Sequence, residues 1–221
     1  IVGAGYIGLE AAAAARSLGL EVTVLEMADR VLARVTSPVM SDFYETLHEG
    51  HGVTIKTGVR LSELRGSGAV EAGVLASGEE IPCDLALVGI GILPNEELAS
   101  ESGIACKNGI LVDRDARTND PQVYAAGDCA SRPLVHYGRD GRLESVHNAI
   151  EQGKLAAAHI LGRKRPPEDV PWFWSDQYDI KLQIAGLSQG YDQLVTRGNP
   201  DDRSFAVFYF RQGDLIAVDA V

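Results

Sequence analysis

Cysteine is scarce: three residues, Cys83, Cys106 and Cys129, with no C-x-x-C spacing among them. That leaves no material for a disulfide framework, a zinc knuckle or a dithiol redox centre of neighbouring cysteines, and it points to a reducing, cytoplasmic compartment. Basic residues are in deficit as well. Twenty Lys and Arg stand against 31 Asp and Glu, a net charge of −11, which argues against non-specific nucleic-acid binding. No apolar run is long enough to span a membrane, and no signal peptide is visible. The histidines form no metal set: His48 and His51 read as surface residues at a helix end.

What is present begins at the first residue. The chain opens Ile-Val-Gly-Ala-Gly-Tyr-Ile-Gly-Leu-Glu, a G-x-G-x-x-G pattern at Gly3, Gly5 and Gly8. Ile1 and Val2 are the stub of a strand. Leu9–Leu18 is Ala-rich, free of Gly and Pro, and closed by Gly19, so it reads as a helix. Glu21–Glu26 then reads as a strand ending on an acid. Together these make a β-α-β unit for a dinucleotide: Gly3 permits the tight turn, Gly5 lets a pyrophosphate approach, and Gly8 lets helix and strand pack. Free N–H groups at the helix start suit phosphate. The Glu26 carboxylate suits ribose hydroxyls and repels a 2′-phosphate, so the site reads as NAD rather than NADP. The competing reading is a Gly-rich turn in another α/β protein. Only two residues precede the glycines, and 215–221 is an apolar strand without a polar tail, so the chain is read as an internal piece of a longer protein.

Further along, Thr36-Ser37-Pro38 has the hydroxyl cap and first-turn proline of a second helix, running to about His51. Val53–Lys56 reads as a strand and Glu71–Ile81 as antiparallel strands around Ser77-Gly78. Asp84–Gly89 reads as a buried strand whose end, Gly89-Ile90-Gly91, would let a ligand approach the backbone. A boundary falls near Pro94. Thr118–Asp128 reads as a turn, a short buried strand, small residues and then an acid. A helix follows over Ala149–Leu161, ended by Gly162 and the basic 163–165 run. Pro166-Pro167 marks a linker. Strand-like runs at Ile180–Ala185, Gln193–Thr196, Phe205–Phe210 and Leu215–Val221 suggest an antiparallel sheet in a small α+β module.

Thr118, Pro121 and the run Val123-Tyr124-Ala125-Ala126-Gly127-Asp128 resemble the second flavin-binding signature of the two-dinucleotide-fold flavoproteins. Gly-Tyr-Ile-Gly-Leu-Glu at 5–10, Glu-Ser-Val-His-Asn-Ala at 144–149 and Pro-Trp-Phe-Trp-Ser-Asp-Gln at 171–177 are similar to one branch of them. It is the FAD-dependent NADH:ferredoxin reductases that serve bacterial P450 and Rieske oxygenase systems. The resemblance covers the whole chain. It implies an α/β, two-dinucleotide-binding-domain fold: a Rossmann-like NAD domain at 1–93, the C-terminal half of an FAD domain at 94–165, and a C-terminal α+β reductase domain at 166–221. The N-terminal FAD fingerprint of that family is not in the chain.

By that resemblance, Gly3, Gly5, Gly8 and Glu26 would hold NAD, with Glu10 near the nicotinamide and Gly91 leaving room for it to reach the flavin. Gly127 and Asp128 would hold FAD at the ribityl chain. Val146 would offer its N–H to the flavin pyrimidine edge, and Trp174 would lie beside the isoalloxazine. No catalytic acid–base pair and no metal are implied, because the flavin carries the chemistry. The partner implied is a ferredoxin-type iron–sulfur protein, with Lys154 the best candidate for its docking. Plainer readings stand beside these. Asp128 serves as a turn carboxylate, Ser145 and Val146 as ordinary first-turn residues, Glu10 as a solvated helix residue, and Trp172 and Trp174 as core aromatics. Other functions also stand: a pyridine-nucleotide disulfide reductase, an NADH-binding redox-signalling flavoprotein without fast turnover, and an NAD module with no flavin.

Overall fold

Backbone pairing starts at Val2, which bridges in parallel to Leu25 on one side and to Val88 on the other. In the computed structural model, which describes all 221 residues, the chain forms two units: Ile1–Gly91 with Trp174–Val221, and Ile92–Phe173. From the Val2 stub the chain passes through the glycines into α1 (Tyr6–Ser17). The helix begins at Tyr6, earlier than expected, because extended Gly5 is its N-cap. Its buried face is Gly8, Leu9, Ala12 and Ala13, in which the small Gly8, Ala12 and Ala13 permit close packing. At its end, Gly19 takes a left-handed φ of 80°, and its N–H and that of Leu20 bond back to Arg16 and Ala15, closing the helix as expected.

β1 (Val22–Leu25) and β2 (Val53–Lys56) pair in parallel, Val22 opposite Val53, with α2 (Pro38–Gly50) between them in sequence. Pro38 sits in the first turn of α2, but the Ser37 side chain does not cap the helix. That expectation fails because Ser37 is fully buried and its hydroxyl is engaged by Tyr209. β3 (Leu61–Arg65), β4 (Ala72–Leu75) and β5 (Glu80–Pro82) make an antiparallel sheet. The buried strand expected at Asp84–Gly89 is no strand. Val2 alone pairs with it, through Val2 N–H to Leu87 O and Gly89 N–H to Val2 O, both 2.8 Å. Leu85 and Val88 are exposed; apolar composition alone had suggested burial.

The second unit holds α3 (Glu97–Glu101), β6 (Ile110–Leu111), β7 (Ala130–Leu134), β8 (Arg139–Gly141) and α4 (Val146–Ile160). β6 pairs in parallel with β7, which pairs antiparallel with β8. Its core gathers Val112, Ala125 and Ala130, with Ile110 against them. The short strand expected before Asp128 is reduced to one bridge, Arg117 with Tyr124. α4 starts at Val146 rather than Ala149 because Ser145 caps it, its Oγ accepting from the Asn148 N–H at 3.1 Å.

The chain then returns to the first unit as a five-stranded sheet: β9 (Trp172–Gln177), β10 (Ile180–Gly186), β11 (Gln193–Asn199), β12 (Ser204–Arg211) and β13 (Asp214–Ala220). The spatial order is β11-β12-β13-β10-β9. Alternate residues of β10 and β12 are buried, among them Leu182, Phe205, Val207 and Tyr209, the period-two pattern of a sheet packed on one face. Phe205 meets Phe43 of α2 edge-on at 5.1 Å.

Candidate functional site

Two of the loop glycines are fixed by sterics. Gly3 has φ of 100°, and a Cβ there would overlap the Gly89 carbonyl; a Cβ on Gly8 would overlap the Gly3 carbonyl. The loop, the helix start and the 87–89 backbone therefore interlock only if both are glycine. Gly5 differs. A Cβ on it would touch no protein atom within 4 Å, and no side chain caps α1. The first turn of a helix has N–H groups without intrahelical partners. An uncapped start behind an unobstructed Gly5 is the cradle a pyrophosphate needs, so the residues present fit a dinucleotide.

Glu26 follows β1 and is tied to the same loop. Its Oε2 accepts from the Ala4 N–H at 2.7 Å and its Oε1 from the Ala28 N–H at 2.8 Å. Each carboxylate oxygen has a further lone-pair position, the capacity two ribose hydroxyls would use. Gly91, at φ 109°, has only the Arg34 guanidinium near its missing Cβ, at 4.0 Å. Gly3, Gly5, Gly8, Glu26 and the 89–91 turn are thus brought together in the first unit.

Glu10, on α1, is half-buried, and its Oε1 accepts from the Ser175 hydroxyl of β9 at 2.6 Å. Sequence reasoning missed Ser175 and the residues behind it. His48, expected at the surface, is fully buried: its Nε2 lies 2.8 Å from Gln177 Oε1. The correction has a simple cause. His48 lies on the α2 face that also buries Met40, Ser41 and Tyr44, so it is covered despite lying near the helix end. Burial pushes its pKa below the ordinary 6.5. His51 is exposed, as expected, and stacks on Tyr178 at 3.7 Å. The alternation of Ser175 and Gln177 with Trp174 and Asp176 was the available signal, since residues two apart share a face of a strand.

In the second unit, Gly127 has φ of 85° and lies 3.6 Å, measured from where its Cβ would be, from the Ala149 side chain. Its N–H donates to Gln152 Oε1 at 2.6 Å. Gln152 is fully buried and also receives the Asn148 amide at 3.4 Å. Gln152 thus moors the Ala-Gly-Asp turn to α4, with Asn148 one turn earlier bracing it; the i, i+4 spacing of the two amides is the signal the sequence carries. Asp128 is exposed, and only its backbone carbonyl is bound, by Arg142. A free carboxylate beside a glycine turn and a helix N-terminus fits a polyhydroxylated ligand such as a flavin's ribityl chain. Val146 is 59% exposed at the first position of α4. Trp172 and Trp174 are 39% and 36% exposed, so neither is a core aromatic. His147, Glu151 and Asp169 come within 4.8 Å of one another, but Asp169 already binds His147 and Glu151 already binds Lys154.

The family described as pyridine nucleotide-disulphide oxidoreductase matches residues 1–153, and that described as reductase C-terminal matches 172–221. Putidaredoxin reductase of Pseudomonas putida is 45% identical over all of this chain and 53% of its own length. A ferredoxin reductase structure from Rhodopseudomonas palustris superposes with a TM-score of 0.94 at 46% identity, covering 99% of this chain and 55% of that one. The reductase in a covalent putidaredoxin reductase–putidaredoxin complex gives 0.96 at 44%, covering 99% and 53%. The chain spans about half the length of the curated relatives it matches. No helix is long and apolar enough to cross a membrane.

Proposed function

The chain belongs to the pyridine nucleotide-disulphide oxidoreductase family, and from that premise we propose that it carries the NADH site, and part of the FAD site, of a reductase that passes electrons to a ferredoxin-type iron–sulfur protein. Gly3, Gly5 and Gly8 would hold the NAD pyrophosphate and Glu26 the adenosine ribose. Glu10 would stand near the nicotinamide, with Gly91 leaving it room. Gly127, Asp128 and the Val146 N–H would hold FAD. Bound FAD supplies the conversion between hydride and single electrons; this chain's residues bind, orient and exclude. The reaction belongs to the cytoplasm.

The observation that carries the reading is the open Gly5 before an uncapped α1, with Glu26 bound to the same loop. An iron–sulfur acceptor is favoured over a disulfide because similarity to putidaredoxin reductase runs the length of the chain. The test uses the full-length protein with NADH and a two-iron ferredoxin. NADH should bleach the flavin's visible absorbance, and ferredoxin reduction should follow. A flavin that NADH does not bleach, or one that bleaches but reduces only disulfides, would overturn the proposal.

A further inference from the structure

A polar chain crosses the first unit from Tyr178, in the turn after β9, to Glu10. The Tyr178 hydroxyl lies 3.2 Å from His48 Nδ1, and His48 Nε2 lies 2.8 Å from Gln177 Oε1. Gln177 Nε2 lies 3.0 Å from Ser175 Oγ, which lies 2.6 Å from Glu10 Oε1. The three middle residues are fully buried. Valence fixes the protons. A carboxylate only accepts, so Ser175 donates its one proton to Glu10. Ser175 is then the acceptor for the Gln177 amide nitrogen, which turns Gln177 Oε1 toward His48. His48 Nε2 must therefore carry the ring proton. In a neutral ring Nδ1 is bare, and Tyr178 donates to it. Every bond runs in one direction, toward Glu10.

Such a chain is costly unless complete, and apolar residues would tie the same elements together at lower risk. Its completeness, and its end on a half-buried carboxylate of which only one oxygen is engaged, call for another explanation. We propose that Ser175, Gln177 and His48 are positioning residues that fix the Glu10 carboxylate beside the nicotinamide end of the NAD site, so that β9 and α2 set the geometry for hydride transfer. This rests on the reading of Glu10 given above. The lowered pKa of His48 accords with it, since a neutral ring is what the chain requires.

Two measurements on the full-length protein decide the matter. Nitrogen NMR of the His48 ring needs no variant: the proton should sit on Nε2 with Nδ1 bare, and an Nδ1–H tautomer overturns the relay. Stopped-flow flavin reduction separates NADH affinity from the limiting rate. Ser175→Ala should slow the limiting rate about tenfold with Kd held within about twofold, and Ser175→Thr, which keeps the hydroxyl, should recover most of the loss. In a Glu10→Gln background the Ser175→Ala change should add little, as expected of two residues acting as one unit. An unchanged rate in Ser175→Ala, or additive losses, removes the positioning role. A parent flavin that NADH fails to reduce counts against the functional reading instead, while the tautomer still decides the relay.

Discussion

Glu26 binds its own loop, and that gives one side chain two measurable consequences. In Glu26→Ala the fully buried Ala4 N–H loses its acceptor, at a cost of about 1–3 kcal/mol. The same change should erode an NADH-over-NADPH preference expected to be at least about tenfold, or about 1.4 kcal/mol. Thermal unfolding and the two kcat/KM values test both; a variant with unchanged melting temperature and cofactor preference would refute the assignment. His48 gives a pH test. Its folded pKa is depressed below 6.5, so the unfolded chain binds the proton more readily. The stability contribution is whole above about pH 6.5 and drains away as pH falls toward the folded value. Urea titrations should show this acid-side loss, and His48→Gln should flatten it. At this scale the sequence revealed the acid and the glycines through their spacing. It concealed His48, because burial near a helix end depends on a strand more than a hundred residues away.

Among the elements, β13 holds the sharpest energetic tension. Asp219 is fully buried, and its Oδ2 accepts from Thr36 and from Tyr209, each at 2.5 Å. Its Oδ1 has no partner. Burial raises its pKa above 3.8, partly opposed by the Thr36 and Tyr209 hydrogen bonds. For a carboxyl raised in the fold, stability is fully present below about pH 3.8 and declines as pH climbs through the folded value. Tyr209→Phe, by removing a donor, should cost about 1–3 kcal/mol at neutral pH and steepen that decline; Asp219→Asn should abolish it. Denaturant midpoints across pH 4–8 check both. On α4, Gln152→Leu would strand the buried Gly127 N–H and should lower both stability and FAD affinity, read by flavin release on dilution; retained affinity would mean the turn holds itself. α1, α2 and α4 were legible from alanine content, a first-turn proline and terminal glycines, and β10, β12 and β13 as strand-like runs, whereas the short α3 was not expected. The Asp84–Gly89 run and the residues before Asp128 misled, since apolar sequence cannot tell a ladder from a single bridge.

Across the whole molecule, charge governs encounter. The chain carries −11, so the iron–sulfur partner proposed above, if acidic, would approach it against an unfavourable field. Lys154 is exposed, with its ammonium 2.6 Å from Glu151; such a pair is worth little and stays available to a partner. Lys154→Glu should slow ferredoxin reduction at low ionic strength and leave flavin reduction by NADH unchanged; an unaffected rate would put the docking face elsewhere. The least legible feature was long-range: nothing local announces that Thr36 and Ser37 belong with Tyr209 and Asp219. That joining has a consequence for biosynthesis. The first unit draws on both Ile1–Gly91 and Trp174–Val221, and β13, the latest of its strands to be made, lies in the middle of the sheet. A ribosome working at roughly 5–20 residues per second therefore leaves the glycine-loop half waiting on the order of ten seconds for its partner. Throughout that interval Phe43 of α2 lacks its Phe205 neighbour and His48 its Gln177 partner, so slower translation through 92–173 should leave that face bare for longer and lower the yield of folded protein.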